Sequence, residues 1–164
     1  MGIEAFGVTM RFTELGVSMR LRELLANNPR IHLGGEDSAL GHMTSAGEYT
    51  DDRHFIDLQI SREVASDRCT MAIRFSLCSY ESIDAIFIDV VDNVLESFEA
   101  DVWLMTSALK KKINYLPGDQ SWLIAALPDE IASMRDYWQR SFGNKQGRVR
   151  VKDSFSFAGL KFKQ

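Results

Sequence analysis

Two alternating segments on either side of a short polar turn constrain this chain more than any other feature. His54 to Glu63 and Cys69 to Cys78 both switch between apolar and polar residues with period two, and Ser66-Asp67 lies between them. That pattern predicts an antiparallel β-hairpin. Pairing about the turn places Ile60 across from Ile73, Leu58 from Phe75 and Ile56 from Leu77 on one face. Gln59 then faces Arg74, and Asp57 faces Ser76, on the other. A slip of one residue sets apolar side chains against polar ones, so the alternation is expected to fix this register. Cys69 and Cys78, nine residues apart on one strand, point to opposite faces and stand roughly 30 Å apart at about 3.3 Å per residue. A disulfide between them is excluded.

The flanking sequence predicts a mixed fold. Val8 to Phe12 alternates as a short strand, Met19 to Leu25 reads as a short helix ended by Asn27-Asn28-Pro29, and Ile31 to Leu33 reads as a brief strand. Residues 34–53 show no periodicity and hold four glycines, which predicts a long loop, the kind of segment that tends to carry function. Ser79 is the expected N-cap of a helix running to about Phe98, with Ile83, Phe87, Val90, Val94 and Phe98 inside. Asp101 to Ser107 reads as a strand, Lys110-Lys111-Lys112 and Pro117-Gly118-Asp119 as bounds of a polar loop, and Trp122 to Leu127 as a buried strand. Pro128-Asp129-Glu130 opens a second main helix with an inner stripe of Ile131, Met134, Trp138 and Phe142, stopping at Gly143. Arg148 to Phe157 alternates as a last strand.

The expected architecture is a single α+β domain over residues 1–164. It is a two-layer sandwich with a largely antiparallel sheet and two main helices, ferredoxin-like (β-α-β-β-α-β) from residue 69, with an N-terminal β-α extension. One conflict stands: in a ferredoxin-like sheet the strand from Cys69 has both neighbours assigned, and the hairpin adds another.

Composition narrows the classes of function. The chain has 164 residues, 45% hydrophobic and 26% charged, with a net charge of −4. That excludes a disordered tail and a basic nucleic-acid-coating protein. No apolar run is long enough for a membrane span. The N-terminus lacks a secretory leader and, with Phe6 at the sixth position, a myristoylation signal. A cytoplasmic location is the resulting expectation. No P-loop, GxSxG, HExxH or GxGxxG motif is present, and no cofactor is implied.

Charge is nonetheless unevenly placed. Residues 35–108 hold 4 Lys/Arg against 15 Asp/Glu, a net of −11, whereas residues 109–164 hold 11 against 5, a net of +6. Glu81, Asp84, Asp89, Asp92, Glu96 and Glu99 gather on the outer face of the first main helix, with no base between Arg74 and Lys110. Negative charge held on one surface steers a positive partner toward it. The leading expectation is therefore a non-catalytic protein-binding module, of inhibitor, immunity-type or adaptor class, presenting an acidic helix to a basic protein surface. The same polarity permits self-association.

The alternative is a small metal-dependent or small-molecule-processing enzyme. It draws on His32, Glu36, Asp37, His42, Asp51, Asp52 and His54, which put all three histidines and four carboxylates around the 34–53 loop. Imidazole and carboxylate groups can ligate a divalent ion, or Asp52 could orient His54 as a base. A nucleic-acid role for Arg148, Arg150, Lys152, Lys161 and Lys163 beside Phe155, Phe157 and Phe162 is disfavoured by the negative net charge and the core-like face of the phenylalanines.

Overall fold

The computed structural model describes residues 4–104 and 113–160. Its strands are β1 Ala5–Phe12, β2 Ile31–Leu33, β3 Asp37–Ala39, β4 His42–Thr50, β5 Phe55–Glu63, β6 Cys69–Ser76, β7 Ala100–Leu104 and β8 Ile113–Tyr115. They form one sheet in the order β2-β4-β5-β6-β1-β7-β8, with β3 also paired to β4, and every pairing is antiparallel. Helices α1 Ser18–Ala26, α2 Ile83–Ser97 and α3 Ser121–Phe142 follow the chain, and a 3-10 turn, Val151–Asp153, runs into the short α4 Ser154–Phe157. The molecule is an α+β sandwich with a largely antiparallel sheet.

Alternation explains which face is covered. Leu58, Ile73, Val8 and Leu104 stand opposite one another across four strands, and Ile60, Met71, Met10 and Val102 form the next row. All are buried. The helices cover this face, with Phe87 of α2 set edge-on to Phe6 and Phe75 at ring distances of 5.7 and 5.0 Å. The opposite face carries Asp57, Gln59, Arg74, Thr9 and Arg11, and pairs Arg11 with Asp101 at 2.8 Å.

The hairpin is present, but its register is shifted by two residues from the expected one. Leu58 faces Ile73, Ile60 faces Met71 and Asp57 faces Arg74. The connection is longer than a two-residue turn. Glu63 N–H bonds the Arg68 carbonyl, Asp67 N–H bonds the Glu63 carbonyl, and Asp67 takes a left-handed φ of 56°. Because the side-chain period is two, this even shift leaves each residue on its predicted face. It also brings Asp57 within 3.7 Å of Arg74.

The conflict over the sheet resolves in favour of the hairpin. β6 lies between β5 and β1, so both places beside it are filled by strands from outside the β-α-β-β-α-β run that starts at residue 69. The last expected strand is absent as well. Residues 148–150 belong to no strand, and the chain then turns helical. Arg148 and Arg150 stack on the Phe55 ring at 4.0 and 3.8 Å, and Phe155 packs on Trp138, so their alternation reflects packing on both sides of a strap. The ferredoxin-like detail therefore does not describe this sheet.

Three further expectations change. Residues 34–53 are not a loop: β3 and β4 occupy most of them, and β4 pairs with β5 along its whole length. Trp122 to Leu127 is the start of α3, because Leu123, Leu127 and Ile131 bury one helical stripe while Trp122 is exposed. Pro128 sits inside that helix on its exposed side, so the Ile124 carbonyl it leaves unbonded can reach water. The segment expected as a polar loop contains β8 at Ile113–Tyr115, and Lys110-Lys111-Lys112 lie outside the described residues. Both cysteines are buried and free. Among the described residues, no helix is long and apolar enough to cross a membrane.

Candidate functional site

α2 carries two distinct arrangements, one at its N-terminal end and one along its outer face. The outer face concerns the six carboxylates. Asp84 points toward α3, where both terminal nitrogens of the buried Arg135 grip it at 2.8 and 2.7 Å. Asp92 accepts a bond from Gln120 Nε2 at 3.0 Å, and Glu81 one from Gln146 Nε2 at 3.3 Å. Asp89 and Glu96 are exposed and Glu99 is half-buried. Among the described residues, none of Asp89, Asp92, Glu96 and Glu99 has an ion-pair partner. Asp84 thus belongs to the packing between helices, and five carboxylates, Glu81 among them, remain without an ion-pair partner among the described residues.

Beside that set lies a cleft between α1 and α2, of about 360 Å³, lined by Leu24, Leu25, Asn28, Ile31, Tyr49, Ile86, Asp89, Val90 and Asn93. Its walls mix aliphatic side chains with Asn28, Asn93 and Tyr49, Asp89 is its one charged group, and no cation lines it. A larger cleft of about 860 Å³ lies at α1, the β5–β6 turn and β2, with a mixed lining that includes Arg22, Glu36, Arg62 and Asp67. There Arg62 is already shared between Glu36 and Asp67 at 3.5 Å each, and Arg22 bonds Ser45 Oγ and the Gly34 carbonyl.

At the N-terminal end of α2, the turn between β4 and β5 supplies Asp51 and His54. Asp51 folds the turn around itself: its Oδ1 accepts the backbone N–H groups of Arg53 and His54 at 2.7 and 2.8 Å, and Oδ2 accepts Tyr49 O–H at 3.0 Å. Both its oxygens lie 2.9 Å from His54 Nδ1. Burial penalises the Asp51 anion, but the bonds from His54, Arg53 and Tyr49 outweigh it and hold the carboxyl well below the usual range. Burial and the bond to Asp51 push Tyr49 upward. On the other side of the ring, His54 Nε2 lies 2.7 Å from Ser82 Oγ. Ser82 is the N-cap residue of α2, yet its hydroxyl makes no capping bond. The chain Asp51–His54–Ser82 therefore runs from a half-buried acid through a buried imidazole to the hydroxyl of an exposed serine.

The expected His/Asp/Glu cluster is only partly assembled. His42 and His54 lie at opposite ends of the β4–β5 hairpin, since His42 pairs with Glu63 and Thr50 with Phe55. That separation is roughly 25 Å at about 3.3 Å per residue. His32 faces Glu48 across β2 and β4. Glu36 goes to Arg62, Asp37 is exposed on β3, and Asp52 is exposed and does not orient His54; Asp51 does. Among the described residues no group of three His, Cys, Asp or Glu could hold a metal ion. The loop reading failed because β4 pulls the histidines to different ends of one strand.

Sequence reasoning missed Ser82, Arg135 and the α1–α2 cleft. It placed the helix cap on Ser79, whose hydroxyl instead bonds the Val149 carbonyl at 3.4 Å while its N–H bonds Ser76. Ser82, also of a capping residue type and one position before the helix, carried the only available signal. Arg135 was hidden one position past the expected stripe residue Met134. Two of the basic C-terminal residues are engaged: Arg150 pairs with Glu48 at 3.3 Å and Arg148 bonds the Asp51 carbonyl at 3.0 Å; Lys152 is exposed, and Lys161, Phe162 and Lys163 lie outside the described residues. Burial raises both thiols, Cys69 to about 11, so neither is a ready nucleophile. No protein-family model matches the chain, and a search of curated proteins returns no match.

Proposed function

We propose that this chain is a protein-binding module of inhibitor, immunity-type or adaptor class, and that it docks a basic protein surface on the outer face of α2 and the neighbouring α1–α2 cleft. One observation carries the reading: Asp89 lines a partly apolar cleft with no cation in its lining, on a helix whose exposed carboxylates lack ion-pair partners among the described residues. A lysine or arginine of a partner fits such a site, because its aliphatic stem covers the aliphatic part of the lining while its charge meets Asp89.

The electrostatics of the isolated helix support this reading. Asp89, Asp92 and Glu96 are spaced three and four residues apart, so they repel along one face. Glu96 lies in the last turn, where the helix dipole is negative and no base is present. Each contact disfavours α2 by a few tenths of a kcal/mol. A surface shaped by stability alone would mix the signs. Bringing a guanidinium or ammonium against this face relieves the repulsion and speeds encounter.

The test places a photo-crosslinking residue at the exposed Asn93 in producing cells and maps the captured peptide by mass spectrometry. The expected adduct lies in a Lys/Arg-rich segment and disappears in the Asp89→Lys/Glu96→Lys variant, whose melting temperature is unchanged. An adduct that survives charge reversal, or one mapped to an acidic or apolar segment, refutes the reading.

A further inference from the structure

We infer that Asp51, His54 and Ser82 form a hydrolytic triad and that Ser82 is an acyl-accepting nucleophile for small carboxylic esters. This activity is separate from docking, because it uses the N-terminal end of α2 and none of the residues Asp89, Asp92, Glu96 or Glu99.

The geometry supplies each role. His54 Nδ1 lies 2.9 Å from both Asp51 oxygens, so the proton on that nitrogen is directed at the carboxylate. The opposite nitrogen is then the acceptor, and it faces Ser82 Oγ at 2.7 Å. This is the tautomer and orientation a base needs to take a hydroxyl proton. Asp51 cannot swing away, since backbone N–H groups from Arg53 and His54 and the Tyr49 hydroxyl hold it. His54 is 6% exposed, which keeps its ring fixed, whereas Ser82 opens to solvent where a substrate can reach it.

The position of the hydroxyl matters as much as its partner. Ser82 precedes the first turn of α2, and its side chain is drawn to His54 instead of capping the helix. The positive end of the α2 dipole thus stands beside Oγ, where negative charge develops on a carbonyl oxygen under attack.

The reaction is balanced with water as the only co-reactant. Ser82 Oγ bonds the ester carbonyl carbon while its proton passes to His54 Nε2. The bond to the alkoxy group breaks, and the leaving oxygen takes the proton from Nε2. Water then attacks the acyl group on Ser82 and gives a proton to Nε2. Collapse releases the carboxylic acid and returns that proton to Ser82 Oγ. Because Ser82 lies on an open surface, the acyl groups accepted are small and loosely selected.

The full chain is treated with a fluorophosphonate reagent and mapped by mass spectrometry, and its turnover of p-nitrophenyl acetate is measured. The expected result is one adduct on Ser82, lost in Ser82→Ala and in His54→Asn. Wild-type turnover should exceed that of Ser82→Ala by about 10²-fold or more, the usual scale of a positioned base. Ser82 is exposed and makes no cap, so Ser82→Ala keeps its fold, and a thermal melt checks this. Absence of an adduct on Ser82 in folded wild-type protein, or equal turnover by Ser82→Ala, overturns the inference and leaves the docking surface untouched.

Discussion

Asp84 and Asp89 lie on one helix, five residues apart, and the structure gives them opposite roles that mutation can separate. Arg135 is 4% exposed, its guanidinium sits 5.8 Å from the centre of the Phe75 ring, and both its terminal nitrogens bond Asp84. Replacing Asp84 with Ala leaves a buried cation with no counter-ion. Removing one partner of a buried pair costs about 3–5 kcal/mol. The Asp84 side chain retains 26% exposure, so water can reach the guanidinium from that side, which favours the lower end, about 3 kcal/mol. For a chain of this size each kcal/mol lowers the melting temperature by roughly 2–4 °C, so Asp84→Ala should melt about 6–12 °C lower. The double variant Asp84→Ala/Arg135→Met removes both charges and keeps an unbranched apolar stem against Phe75. It should recover to within about 1.5 kcal/mol of wild type. Asp89→Ala should shift stability by less than about 0.5 kcal/mol. Urea denaturation of all four proteins measures these values. A cost below about 1 kcal/mol for Asp84→Ala, or a double variant no more stable than the single, refutes the assignment of Asp84 to helix packing.

Two further outcomes follow from local geometry. A Cβ at Gly47 would meet Leu33 Cδ2 at 2.6 Å and the His32 carbonyl at 2.9 Å, so Gly47→Ala must push β2 away from β4 and should cost about 1–3 kcal/mol in urea denaturation. Gly35→Ala, with nothing within 4 Å, is the matched control and should be near neutral. Asp51 is held below the usual carboxylate range in the fold, so its contribution is fully present above the unfolded value of about 4 and is lost as pH falls below it. Asp51→Asn should therefore lower stability at neutral pH and flatten the acid limb of the stability–pH curve. An unchanged acid limb contradicts the network around Asp51.

What could be read in the chain divides by the range of the interaction. Alternation in His54–Glu63 and Cys69–Cys78 identified the hairpin and its faces, because the two segments are adjacent and one face is wholly apolar. The register slipped because four residues, not two, make the connection, and only the left-handed conformation at Asp67 reveals it. β4 was invisible for a packing reason. Its inner positions are Ser45, Gly47 and Tyr49, and Arg22 of α1 reaches down to Ser45 Oγ at 2.6 Å, where a large apolar side chain would not fit. Arg148–Phe157 misled in the opposite direction. Its alternation is real, but the basic residues lie on Phe55 and the apolar ones under α3, with no ladder. The insertion of β1 between β6 and β7 joins segments far apart in the chain, 90 residues for Arg11 and Asp101, and leaves no local mark. The site follows the same division: Asp51 and His54 are three residues apart and stood out in sequence, whereas Ser82 reaches them only through the fold.

The anchoring of α2 bears directly on how a partner could bind it. At its N-terminal end the helix is tied to the β4–β5 turn through His54 and to α3 through the Asp84–Arg135 pair. Along its inner side Phe87, Val91 and Val94 are fully buried. Only the strip bearing Asp89, Asn93 and Glu96 is left exposed. A helix fixed on its other faces loses little freedom when that strip is covered, and ordering costs are a main opponent of association. The carboxylate side chains still have to be ordered, but the backbone that carries them is already in place. The unpaired carboxylates Asp89 and Glu96 thus sit on a helix tied down on its other sides, and the proposed docking would be tight and not adaptable. Crosslinks from Asn93 should accordingly converge on one segment of the partner, while a loosely held helix would scatter them over several.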